Sequence, residues 1–133
     1  MDKKVEKFAV DLLQYLNDSP TAYHAVENGA ALLKSGGFQE LKETESWSLQ
    51  EGGKYFVVKN SSALIAFAVG GGDLSKEGFR IIGAHTDSPC LKIKPGPCSI
   101  TADGYVKVNV EIYGGAILHT WFDRPLAVAG RLI

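Results

Sequence analysis

The sequence predicts an α/β fold that gives way part-way along to a β-rich region, and three patterns carry that expectation. Val5, Phe8, Ala9, Leu12, Leu13 and Leu16 recur at the spacing of one helical face, which predicts an amphipathic helix ending near Asn17. Residues 64–69 and 79–84 contain continuous apolar runs, as expected of strands covered on both faces. Beyond Pro89 the pattern becomes strict alternation: Val106, Val108, Val110 and Ile112 oppose Lys107, Asn109 and Glu111, the signature of a sheet with one wet side.

Each element follows from local chemistry. Ser19 is placed to cap a second helix with Pro20 at its first position, running through His24, Val26 and Leu32 to about Leu33. Gly36-Gly37 supplies a left-handed terminator, and Phe38 can pack back on the last turn. Short strands are expected around Trp47, then over 55–58, 64–69 and 79–84, with turns at Asn60-Ser61-Ser62 and at Gly70-Gly71-Gly72-Asp73. Leu91-Lys92-Ile93-Lys94 alternates, and Asp103-Gly104 is a two-residue hairpin signal between 99–102 and the strand from Tyr105 to Tyr113. The clustering of Pro89, Pro95, Gly96 and Pro97 marks a boundary between the two regions. The last residues, 126–133, read as an apolar strand without a turn, cap or polar tail, so the chain is expected to be part of a longer one.

Composition narrows the function classes. With 133 residues, 45% hydrophobic content and a formal charge of −1, the chain can bury a core and lacks the basic stripe of a nucleic-acid binder. Its charged amino terminus has no apolar signal core, and no stretch reaches membrane-span length. Cys90 and Cys98 are too few and wrongly spaced for a disulfide scaffold or zinc knuckle, and read as reduced thiols of a cytoplasmic protein.

The chemistry concentrates in Ile81-Ile82-Gly83-Ala84-His85-Thr86-Asp87-Ser88-Pro89-Cys90. In extended backbone, His85 and Asp87 project to one side and Thr86 to the other. An imidazole whose second nitrogen is held by a neighbouring group is a well-oriented metal ligand. By itself His-x-Asp is a common spacing, and a structural histidine is the competing reading. Other candidates read more simply as structure. The Gly70-Gly71-Gly72 turn lacks a following Lys-Ser pair, His24 sits among helix-packing residues, and Ser88 lacks a nucleophile elbow. His119 and Asp123 could share a helical face, but Trp121 and Phe122 between them indicate a packed segment; Cys90 is by default a small buried thiol. No two acidic residues are adjacent, so a two-metal hydrolase would need ligands from elsewhere.

Three segments together, Ser19-Pro20-Thr21-Ala22-Tyr23-His24-Ala25-Val26, Gly83-Ala84-His85-Thr86-Asp87-Ser88-Pro89-Cys90-Leu91-Lys92-Ile93-Lys94-Pro95, and Tyr113-Gly114-Gly115 with His119-Thr120-Trp121-Phe122-Asp123-Arg124-Pro125-Leu126 and Ala129-Gly130-Arg131, are similar to the amino-terminal third of the aspartyl aminopeptidase and aminopeptidase I family. The resemblance covers essentially the whole chain, in order. It implies a zinc-dependent aminopeptidase with two zinc ions per site, acting on peptide substrates and possibly on amino-terminal Asp or Glu. It also implies an α/β catalytic domain, here residues 1–89, interrupted just after Pro89 by a β-rich dimerisation domain of which 90–133 is the incomplete start, and a cytoplasmic homo-oligomer built from dimers. By the same resemblance His85 is a zinc ligand and Asp87 the catalytic aspartate that orients it. The family's remaining ligands, an adjacent glutamate pair among them, have no match in this chain, so the 133 residues alone are expected to be inactive. Pro125 departs from the acidic residue common after the Asp-Arg pair, and His119 is not assigned to the family's second-domain histidine. The rival reading is a non-catalytic assembly or binding module on the same scaffold. A deacetylase or carboxypeptidase sharing His-x-Asp is disfavoured because Trp121-Phe122-Asp123-Arg124 has no counterpart expected there.

Overall fold

The computed structural model describes residues 2–132, and its first helix, α1 (Lys3–Asn17), begins where the Asp2 carboxylate accepts the Lys4 amide at 2.9 Å. Its end agrees with the helical spacing. The second helix, α2 (Ala22–Ser35), differs at its start: Thr21, not Ser19, is the capping residue, its hydroxyl accepting the His24 amide at 3.5 Å. Pro20 accordingly precedes the helix instead of opening it. Ser19 is occupied otherwise, its hydroxyl taking a bond from the Asn28 side chain at 3.1 Å. At the far end Gly37 adopts φ +81, and the Phe38 and Gly37 amides bond the carbonyls of Leu33 and Lys34 at 3.0 and 3.1 Å. This is the Schellman closure that the glycine pair predicts.

The chain divides into two compact units, Met1–Asp87 with Ala129–Ile133 and Ser88–Val128. The first unit holds a three-stranded sheet ordered β1 (Gln39–Leu41), β2 (Lys54–Lys59), β3 (Ala63–Ala68), with β1 parallel and β3 antiparallel to β2. Both helices and this mixed sheet realise the α/β class. The core lies where α2 meets the central strand: Ala25, Val26, Tyr55, Phe56 and Val57 are buried, and Phe56 is wholly sealed. Burial of that ring contributes about 1.5–3 kcal/mol. Tyr55 and Phe67 pair across the hairpin with ring centroids 5.7 Å apart, and Trp47 lies 6.4 Å from Phe67.

Three strand expectations are corrected. No strand forms around Trp47; its indole N–H donates to the Lys42 carbonyl at 2.8 Å within a loop, and the strand of this region is β1 instead. The run covered on both faces is β2, because β3 is an outer strand of this sheet and Ile65 stays open. Residues 79–84 are unladdered, with Phe79, Ile81 and Ile82 exposed. A strand of that apolar character needs neighbours at its edge and on its faces, and among the described residues none pairs with it. Ahead of it, Asp73 caps a short helix, α3 (Leu74–Glu77), which the sequence reading did not anticipate. Bonds from Ser75, then Lys76, hold the Asp73 carboxyl below the usual carboxylate range.

The second unit is an antiparallel ribbon of β4 (Cys90–Ile100) and β5 (Val106–Tyr113), with a register shift between Ile93 and Cys98. The Pro95-Gly96-Pro97 run falls in that gap, where prolines without amide protons cannot support a ladder. The hairpin is where Asp103-Gly104 puts it, but its loop is longer than two residues. Gly104 has φ +82 and donates to Thr101, while Thr101 donates to the Tyr105 carbonyl at 2.9 Å. Asp103 does not share the positive φ that a two-residue type I′ loop requires, so Gly104 serves as a bulge. After a 3-10 turn, η1 (Leu118–Thr120), residues 125–132 form no regular structure. The apolar strand expected over 126–133 is therefore absent from 126–132, and Ile133 lies outside the described residues. Residues 129–132 group with the first unit.

Candidate functional site

His85 and Asp87 face one another across a bend at Thr86, in a segment without regular secondary structure. The His85 Nδ1 lies 2.6 Å from the Asp87 main-chain carbonyl and 3.3 Å from its Oδ1. A carbonyl oxygen only accepts, so the short bond places the proton on Nδ1 and leaves the Nε2 lone pair for another partner. Both side chains are open, His85 at 78% and Asp87 at 45%, so an incoming ion can reach them. This imidazole thus has the tautomer, the restraint and the access that a single metal ligand needs.

It does not have company enough to hold an ion. Among the described residues no group of three or more His, Cys, Asp or Glu side chains is gathered at ligating distance. A closed zinc site takes four ligands and a catalytic one three plus water, so His85 fits as one ligand of a set completed by other residues. Two grooves of the first unit, about 530 and 970 Å³, are lined elsewhere: the first by Tyr23, His24 and Arg131, the second by α1, α2 and β3. Neither includes His85 or Asp87.

The remaining candidates stay with their structural readings. His24 sits in the first turn of α2 with Nδ1 2.8 Å from the Thr21 hydroxyl, so it is part of the helix cap. His119 lies in a 3-10 turn that ends at Thr120, and Asp123 has φ +51, so the four-residue helical spacing between them is not realised. Cys90 opens β4 opposite Tyr113 and is a half-buried free thiol. The Gly70-Gly71-Gly72 turn leads into the Asp73 cap.

One participant escaped the sequence reading. The Thr86 hydroxyl donates to the Ser62 carbonyl at 2.8 Å, fastening the segment between His85 and Asp87 to the turn of the β2–β3 hairpin. Thr86 sits at a bend, and no residue pattern in the chain signals a partner 24 positions away.

Comparison with known proteins extends what this geometry can say. The family model described as Aminopeptidase I zinc metalloprotease (M18) matches residues 15–133. "Probable M18 family aminopeptidase 2" of Clostridium novyi (strain NT) is 54% identical over 126 residues, 95% of this chain and 29% of that relative. "Aspartyl aminopeptidase" of Aspergillus oryzae is 51% identical over 125 residues, 92% of this chain and 25% of the relative. The solved "Structure of S. cerevesiae mApe1 dodecamer" superposes with a TM-score of 0.80 at 33% identity, covering 91% of this chain and 28% of that one. The chain therefore spans 25–29% of the length of these proteins. With a family model aligned from Tyr15 onward, through the His85-Thr86-Asp87 segment, this chain belongs to the aminopeptidase I zinc metalloprotease (M18) family.

Proposed function

We propose that the protein containing this chain is a zinc-dependent aminopeptidase that removes amino-terminal Asp or Glu from peptides, with two zinc ions per active site. The observation that carries this reading is the His85 imidazole, held by the Asp87 carbonyl in the tautomer that leaves Nε2 open to a metal. Family membership supports the chemistry, and the name of the Aspergillus oryzae relative supports the acidic preference. When bound, the zinc pair polarises the scissile carbonyl and makes its water acidic enough to ionise near neutral pH. His85 contributes one ligand through Nε2. Asp87 keeps that ring in place, through its main-chain carbonyl and its carboxylate.

In this reading residues 1–89 are the start of the catalytic domain and the ribbon after Pro89 begins the β-rich dimerisation domain. The change of compact unit at Ser88 supports that division. The protein works in the cytoplasm as a homo-oligomer built from dimers. The dodecamer named for the S. cerevesiae relative supports assembly, and the free thiols of Cys90 and Cys98 suit a reducing compartment. No helix among the described residues is long and apolar enough to cross a membrane.

The test is made on the intact protein. His85→Ala is expected to lose one zinc equivalent per subunit by metal analysis, and with it the hydrolysis of an aspartyl amide. A variant that keeps its full zinc complement would refute the assignment.

A further inference from the structure

We propose that Thr86 is a positioning residue for the metal ligand beside it, and that the β2–β3 turn is the fixed post to which it is tied. The inference rests on reading His85 as a zinc ligand. Thr86 reaches a residue 24 positions earlier in the chain, and does so with a side-chain hydroxyl on a main-chain carbonyl: Oγ1 donates to Ser62 at 2.8 Å. Among the described residues the segment before it, 79–84, has no ladder to set its register. A side-chain bond to the sheet therefore supplies a restraint that main-chain pairing does not.

The acceptor end is unusually well held. Ser62 closes a two-residue turn, its amide donating to the Lys59 carbonyl at 3.1 Å. Asn60 and Ser61 both occupy the left-handed region, φ +51 and +57. That pair of angles belongs to the type I′ turn, whose twist matches the strands on either side. Asn60 tolerates this region routinely, whereas for Ser61 it is a costly conformation. The surroundings here are specific. The Asn60 carbonyl accepts Arg131 Nη1 at 3.3 Å, and that guanidinium lies 4.6 Å over the Tyr23 ring at the start of α2. Lys59, at the first corner of the turn, is paired with Glu43 at 2.8 Å.

Two carbonyls of one turn, on either side of Ser61, thus take long-range partners, Arg131 at Asn60 and Thr86 at Ser62. Because Thr86 lies between His85 and Asp87, fixing its hydroxyl fixes the rotation of the backbone at 85–87. That rotation sets both the Nδ1–H bond to the Asp87 carbonyl and the direction of Nε2. Outer partners of this kind typically govern metal affinity by about 10–100-fold.

The experiment compares Thr86→Val, which keeps the shape and removes the donor, with Thr86→Ser, which keeps the donor, in the intact protein. Chelator competition is expected to show zinc binding weakened about 10–100-fold in Thr86→Val and restored close to wild type in Thr86→Ser. Thr86→Ala, a second variant without the hydroxyl, is expected to behave as Thr86→Val. In the zinc-free protein, imidazole ¹⁵N shifts are expected to report the Nδ1–H tautomer of His85 in wild type and Thr86→Ser, and a tautomer mixture in Thr86→Val. Unchanged zinc affinity in both hydroxyl-free variants, with His85→Ala having lost its zinc, would overturn the positioning role and leave the ligand standing. Full zinc retention by His85→Ala would overturn the ligand reading and this inference with it.

Discussion

At Asp87 the main chain and the side chain make separate contributions to the same ring. The carbonyl is the nearer acceptor for His85 Nδ1, 2.6 Å against 3.3 Å for the carboxylate. Substitution can remove the second and never the first. Asp87→Ala in the intact protein is therefore expected to retain most of its zinc, because the tautomer persists, while turnover falls about 10–100-fold through loss of the carboxylate. Metal analysis beside kcat measurement checks this. Zinc loss equal to that of His85→Ala would show that the carboxylate, and not the carbonyl, holds the ring. The type and spacing of these residues were legible in the chain. Which oxygen of Asp87 is nearer was not, since the answer depends on ψ at single residues.

Among the elements, β2 shows how tertiary covering decides what a local pattern becomes. Its Tyr55-Phe56-Val57 run is buried throughout because strands flank it on both sides and α2 covers it. Phe56 has the Lys34 ammonium 5.9 Å over its ring and no exposed surface. Phe56→Ala is expected to cost about 3–5 kcal/mol, read as a lower midpoint of urea unfolding, with the loss concentrated in amide protection of β2 and its neighbours. The run at 79–84 carries Phe79, Ile81 and Ile82 yet forms no ladder, for an ordinary reason: backbone donors pair only when a partner strand is present. The short-range signals fared better. The glycine closure of α2 and the turns at Asn60-Ser61 and Gly104 are set by a few φ angles, and residue type carries that information.

For the whole molecule the decisive fact is that ligands are few. One suitably restrained imidazole and one carboxylate stand together, and no third ligating side chain joins them among the described residues. The 133-residue chain by itself is accordingly expected to show no hydrolysis of aspartyl or leucyl amides at any zinc concentration that leaves it soluble. Measurable, chelator-sensitive turnover by the purified chain would contradict this. The chain spans 25–29% of the length of these relatives.

By itself the sequence determined helices α1 and α2, the places of the two hairpin turns, the α/β class and the spacing of an imidazole from a carboxylate two residues on, because periodicity and φ preference are local properties. Only the tertiary structure decided that Thr21 caps α2, that β2 and not β3 is the covered strand, that Asp87 holds His85 chiefly by its carbonyl, and that Thr86 is tied to Ser62. Each of these depends on which groups meet across long stretches of chain or on single backbone angles. Neither the spacing nor the identity of the residues encodes such meetings separately from the fold.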